Sequence, residues 1–159
     1  GLESSIREGL GEERKKKIAE KWRNDAIEKV VSEVTVEIPK ILLEAELDKM
    51  MGEFENNIAS MGMNLDQYLE NIQKKREEVR ESWKATARKR VLAALALQEI
   101  ARKENIIVES SDIEKEMNRT LAYFKSQGDI EKNIDMEKLY EYIKGVLTNE
   151  KVFQFLESL

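Results

Sequence analysis

An all-α architecture is what this sequence predicts, and its composition and periodicity carry that reading. Charged residues make up 37% of the chain and proline appears once in 159 residues. Such a Lys/Glu-rich, turn-poor composition favours helix, because straight side chains lose little entropy there. Apolar residues recur every three or four positions along most of the chain, the period of an amphipathic helix. One short β-branched run, VTVEI at residues 34–38, lies against the proline and gives sheet little to build on.

The first helix is expected over residues 2–34, with Ile6, Leu10, Ile18, Trp22, Ala26, Ile27, Val30, Val31 and Val34 on one stripe. Gly9 and Gly11 weaken its first turns, so the expected start is near Glu12 and the helix about 12–34. A second helix over about 40–61 begins at Pro39, whose missing N–H costs nothing in a first turn, and ends at Gly62, suited to a left-handed cap. Its apolar face holds Leu43, Leu47, Met50, Met51, Phe54, Ile58 and Met61. Asn64 and Gln67 then read as a capping box that starts a third helix at once, so the second and third helices are antiparallel neighbours. Leu65, Tyr68, Leu69, Ile72 and Val79 would meet the second helix.

No glycine or proline interrupts residues 65–104, and Asn105 suits a C-terminal cap, so the expectation is one long third helix. At 1.5 Å per residue it would be roughly 60 Å long, against roughly 40 Å for a compact domain of this length. Part of it should therefore protrude. Its first half is charge-rich, with Val79 and Trp83 the chief large apolar residues, whereas VLAALALQEIA is apolar nearly all round. That places the second half in a body and the first half, with the second helix, in a projecting hairpin.

After IIV, an extended link, Ser111 and Glu114 suggest a capping box for a fourth helix carrying Ile113, Met117, Leu121 and Phe124, with a stop near Gly128. A fifth helix starts around Asp135, with Met136, Leu139, Tyr140, Ile143, Val146 and Leu147 inward. NEKVFQFLESL continues it after a kink at Gly145 or Thr148. The expected organisation is one elongated domain: a body of residues 1–34, 84–108 and 148–159, a first arm over 39–83 and a second over 109–147.

The chain has no histidine and no cysteine. This removes the commonest general base, the thiol nucleophile, the usual zinc ligands and any disulfide framework, so no enzyme, cofactor or metal site is expected. Its longest apolar run, VLAALAL, is far short of the roughly 20 residues that span a bilayer, and a cytoplasmic setting without membrane contact is the expectation. The start at GLESS, without methionine, reads as a cut within a longer protein. GLGEERKKK lacks the spacing of a phosphate-binding loop. The basic run from Lys74 to Arg90 is interrupted by Glu77, Glu78 and Glu81, so nucleic acid is not an expected partner. Net charge is 0 over residues 1–34, -5 over 35–69, +4 over 70–98 and -4 over 99–159. Pairing of the acidic second segment with the basic third accounts for both.

The methionine-rich stripe of the second helix has two readings. Methionine fills irregular cores, and a hairpin needs an apolar seam. Methionine is also flexible and polarizable, which suits recognition of varied apolar segments. A two-helix hairpin buries one stripe only, so further apolar surface would stay open to a guest. Tyr123, Phe124 and Ile130 raise the same question near the tip of the second hairpin.

Four stretches resemble a known family. TVEIPKILLEAELDKMM carries x-P-x-x-L-x-x-x-E at Pro39, Leu42 and Glu46, and MGMNLDQYLE carries G-x-x-x-x-x-Y-L at Gly62, Tyr68 and Leu69. Ala87 through Val108 follow A-x-x-R-V-x-x-x-L-x-L-x-x-I-A-x-x-E-x-I-x-V, and Leu147 through Leu156 follow L-x-x-x-K-V-x-x-x-L. In this order they resemble the C-terminal chaperone domain of bacterial trigger factor, over nearly the whole chain. The resemblance implies a helical body with two arms and an ATP-independent holdase that shelters unfolded or nascent polypeptides between them. Ribosome docking and FKBP-type prolyl isomerisation would belong to other domains, since no G-F-R-x-G-x-x-P loop occurs here. The client-binding candidates are Leu47, Met50, Met51, Phe54, Ile58 and Met61 on the first arm, and Leu121, Tyr123, Phe124, Ile130 and Ile134 on the second. A weak homodimer completes the partner expectations. The rival reading is a helical adaptor or self-association module with one defined partner.

Overall fold

The computed structural model describes residues 2–126 and 134–159, with side chains from residue 9 to 123 and from 134 onward. Within them every regular element is a helix: α1 Leu2–Glu33, α2 Lys40–Ser60, α3 Leu65–Asn71, α4 Arg76–Ser82, α5 Lys84–Lys103, α6 Ser110–Ser126 and α7 Met136–Glu157. The all-α expectation holds. The chain divides into two compact units, residues 1–96 and 97–159.

In the first unit, α1 starts at Leu2 rather than near Glu12. Gly9 and Gly11 cost about 1 kcal/mol each relative to alanine, which the helix formers on either side outweigh. Pro39 is the residue before α2, not its first helical position, and its carbonyl accepts from the Leu42 and Leu43 amides at 3.0 and 3.4 Å. Gly62 has φ +75°. The Gly62 amide donates to the Ala59 carbonyl at 2.9 Å and the Met63 amide to the Ile58 carbonyl at 3.2 Å, the paired bonds of a Schellman cap. Met63 also packs on the cluster that contains Ile58, the contact such a cap usually carries. Asn64 caps α3, its Oδ1 accepting from the Asp66 amide at 2.7 Å.

The expected 65–104 helix is three helices. Gln73 sits at φ 52°, its amide donates to the Glu70 carbonyl at 3.0 Å, and the Lys74 amide reaches the Leu69 carbonyl at 3.0 Å. These bonds are a second Schellman cap, built on a non-glycine residue. The chain then restarts at α4, where the Glu78 carboxylate accepts from the Lys75 amide at 2.7 Å. Trp83 separates α4 from α5.

The cause lies in register. An unbroken helix would align residues 65, 69, 72, 76, 79 and 83 on one face, with Arg76 in the middle of the apolar seam. Stranding a guanidinium there costs several kcal/mol, whereas one left-handed residue costs about 1–2 kcal/mol. The interruption wins. It leaves Ile72 40% exposed and keeps Val79 in one cluster with Met51, Ile58, Leu65 and Leu69. The length argument for a protruding helix therefore loses its premise.

Phe54, Met63, Tyr68 and Trp83 pack on this cluster, and Trp83 also reaches a second one made of Leu47, Met50 and Ala87, with Leu43 beside it. The link before α2 carries no strand, and Arg88 Nη2 donates to the Val36 carbonyl across it at 3.0 Å.

In the second unit, α5 ends at a third Schellman cap. Asn105, at φ 51°, donates to the Arg102 carbonyl and Ile106 to the Ala101 carbonyl at 2.9 Å. Helix α6 begins at Ser110, with the Glu109 carbonyl accepting from Asp112 and Ile113 at 3.0 and 3.2 Å. Ser111 thus lies inside the first turn instead of capping it. The expected stop near Gly128 lies outside the described residues. Asp135 caps α7 through the Lys138 amide at 3.1 Å, and α7 runs unbroken past Gly145 and Thr148. Ile113, Met117 and Ile143 form the buried centre, with Val108, Leu139, Tyr140 and Leu147 around it. Lys151 Nζ donates to the Ile107 carbonyl at 2.8 Å, so the start of α6 meets the later half of α7 and the two run antiparallel.

Substitutions at two positions test this packing. Leu47 is fully buried, and Leu47→Ala should lower unfolding free energy by about 2–5 kcal/mol in urea titrations. Gln73→Val, a β-branched residue in the left-handed region, should be less stable than Gln73→Gly by about 1–2 kcal/mol. Equal midpoints for the two Gln73 variants would mean that the break at residues 72–75 does not persist in solution.

Candidate functional site

The chemistry this chain presents is apolar, and burial sorts the expected site residues into two groups. Leu47, Met51 and Ile58 are buried in the seam of the first hairpin, with Met50 at 8% exposure. Phe54 is partly buried, edge-to-face with Tyr68 at 5.6 Å and with Trp83 at 5.3 Å. Met61, one residue beyond α2, is 67% exposed. On the second hairpin Leu121 is half-buried, Tyr123 is 63% exposed and Ile134 lies on the surface. Ile130 and the side chain of Phe124 lie outside the described residues. The expected set is thus four seam residues, two half-buried ones and three at the surface.

Other large apolar side chains stand exposed that the periodicity placed inward or did not single out. Met136 and Val146, expected inward on α7, are both exposed, and so is Tyr142. Tyr142 and Val146 are one turn apart, on a flank some 100° from Ile143 and Leu147. That second stripe is the sequence signal that could have found them. Ile41 and Ile72 are the corresponding exposed residues on the first hairpin.

Charge frames the first hairpin. Arg80 Nη1 donates to Asp48 Oδ1 at 2.6 Å, and its Nη2 to Glu44 Oε2 at 2.7 Å. Arg90 grips both carboxylate oxygens of Glu53 at 3.0 and 3.1 Å and pairs through Nε with Glu46 at 2.9 Å. Arg76 reaches Glu55 at 3.4 Å. The acidic second segment is indeed paired with the basic third, and these arginines flank the seam. The Arg90 hydrogen bonds hold the Glu53 carboxyl below its ordinary range, against a smaller opposing effect of burial.

Among the described residues no polar or charged residue is buried, and no group of three or more His, Cys, Asp or Glu could hold a metal ion. No described helix is long and apolar enough to cross a membrane. Clefts among the described residues of the first unit include two of note. One of about 230 Å³ is lined by Ile27, Glu28, Val31, Ser32 and Lys89, beside a Lys89–Glu28 pair at 3.7 Å. The other, about 650 Å³, lies at the α3–α4 turn, where Lys74, Lys75 and Arg76 share it with Asp66, Glu70, Glu77 and Glu78. Mixed charge of this kind defines no single ligand.

Fold and surface together define an all-helical module that buries apolar seams and leaves further apolar side chains in water on both hairpins. Residues 1–158 match the family described as the bacterial trigger factor protein C-terminus, and the chain belongs to that family. It is 32% identical to the trigger factor of Halalkalibacterium halodurans over 156 residues, 98% of this chain and 36% of that protein. The trigger factor of Geobacillus thermodenitrificans is 33% identical over 142 residues, 89% of this chain and 31% of that protein. That of Alkaliphilus oremlandii is 29% identical over 154 residues, 95% and 36% of the two chains. The chain therefore spans about a third of the length of the curated relatives it matches. No solved structure matches it.

The Glu53–Arg90 grip has a pH signature. A carboxyl whose folded pKa is depressed adds stability that is present above its unfolded pKa and lost as pH falls through the folded value. Unfolding free energy at fixed salt should therefore decline from the ordinary glutamate range downward. Arg90→Gln should make that acid limb shallower, and an unchanged limb would show that the grip adds nothing in solution.

Proposed function

We propose that this chain is the client-binding domain of a chaperone: it holds exposed apolar segments of unfolded or nascent polypeptides, reversibly and without ATP. The observation that carries this reading is the exposure of large apolar side chains on both hairpins, in a member of the trigger factor C-terminal family. Ile41, Met61 and Ile72 stand exposed on the first hairpin, and Tyr123, Ile134, Met136, Tyr142 and Val146 on the second. Each adds little alone. Several engaged by one flexible chain gain affinity through effective concentration, with no fixed sequence motif needed.

Leu47, Met50, Met51, Phe54 and Ile58 serve the hairpin first, and Met61 and Tyr123 lead the client-facing set. Leu121, half-buried on the same helix, serves the packing of the second hairpin first. The reading assigns no catalytic step to these residues, and a cytoplasmic setting goes with it. A cradle between two arms, and a weak homodimer, are extensions of the same proposal.

The test is aggregation of several unrelated, chemically denatured proteins diluted into buffer with and without the chain. Delay across the panel is expected. The triple variant Ile41→Ser, Met61→Ser, Tyr142→Ser should weaken client binding about tenfold or more, from roughly half a kcal/mol per lost partial burial, while its unfolding free energy in urea stays within about 0.5 kcal/mol of the parent. Failure to delay aggregation of any client ends the holdase reading. Tight binding of one folded partner instead would make the chain an adaptor.

A further inference from the structure

The three helices opposite α2 are not attached to it in the same way. Helices α4 and α5 are held by buried apolar contacts and by Arg76, Arg80 and Arg90 reaching five carboxylates of α2, those of Glu44, Glu46, Asp48, Glu53 and Glu55. Helix α3 has Leu65, Leu69 and the Tyr68–Phe54 edge contact. Among the described residues it makes no ion pair, and the side-chain bond at its start, which the Asp66 amide donates to Asn64 Oδ1, is local. It has seven residues, too few to hold a helix unaided. Left-handed joints bound it on both sides, at Gly62 and Gln73, and each is closed by its own Schellman bonds. A short amphipathic element between two such joints can turn out as a unit without unwinding either neighbour.

We propose that α3 is a flap. It undocks from α2 about the Gly62 and Gln73 joints and uncovers Met51, Phe54 and Ile58, and an apolar stretch of an unfolded client takes its place. This deepens the chaperone reading and rests on it. The displaced element states what the uncovered surface accepts: two leucines and a tyrosine at helical spacing, with no charge required. The methionine and phenylalanine that pack on Leu65 and Leu69 can repack on other apolar side chains. Closed, the flap shields the seam from water and competes directly with the client, so apparent client affinity scales with the open fraction.

Amide hydrogen exchange by mass spectrometry tests this on the whole chain, with reduced, carboxymethylated α-lactalbumin as a permanently unfolded probe. Peptides covering residues 65–71 should exchange about tenfold or more faster than those covering 87–92, through local opening. Adding the probe should speed exchange at 65–71 and slow it at 50–58. Asn64→Ala removes the cap of α3 from an exposed position. It should raise α3 exchange by about fivefold, as expected for a lost cap, and tighten probe binding by up to the same factor. One common exchange rate for the whole hairpin overturns the flap, as does probe binding that leaves 65–71 unchanged, or weaker binding by Asn64→Ala. Absence of any probe binding removes the chaperone reading itself, and the flap's role with it, whatever the exchange rates.

Discussion

The apolar seam along α2 must be covered without drawing Arg76 or Arg80 into it, and the first unit is arranged around that requirement. The chain meets it by stopping one helix, turning through Gln73 and starting another in a different phase. Val79, Trp83 and Ala87 then face the seam, while Arg76, Arg80 and Arg90 reach round its edges to the carboxylates of α2. Phe54 sits between Tyr68 and Trp83 and ties the pieces together. Apolar contact sets the depth of packing, and the arginines set the register.

Much of this was legible from residue pattern alone. The class, the ends of α2, the cap at Asn64, the cap at Asn105 and the start of α7 at Asp135 follow from short-range chemistry that leaves a trace in sequence. The break at residues 72–75 left none of the usual marks, because glutamine is not a residue that announces a left-handed turn. Its cause is tertiary: only the partner helix makes Arg76 intolerable at a seam position. Gly9 and Gly11 misled in the other direction, since a long charged helix carries two weak positions.

The candidate site was legible in kind and less so in detail. Periodicity identifies an apolar stripe but cannot say which part of it a neighbouring helix consumes, so Leu47, Met51 and Ile58 looked the same as Met61. Burial separates them. Tyr142 and Val146 were obscured because α7 carries two apolar flanks and only the stronger one dominates the pattern. Exposed Ile41 and Ile72 each adjoin a helix boundary, where a one-residue change in phase decides which way a side chain faces.

The seam holding α3 contains no ion pair and no buried charge, and that has a thermal consequence. Apolar burial is driven chiefly by the entropy of water near room temperature and weakens on cooling. An element docked by Leu65, Leu69 and Tyr68 with no ion pair to α2 has little else to hold it. Its docking therefore carries a temperature sign of its own: firm in the warm range and loosest near freezing, where apolar surfaces elsewhere in the molecule are also least attractive to one another.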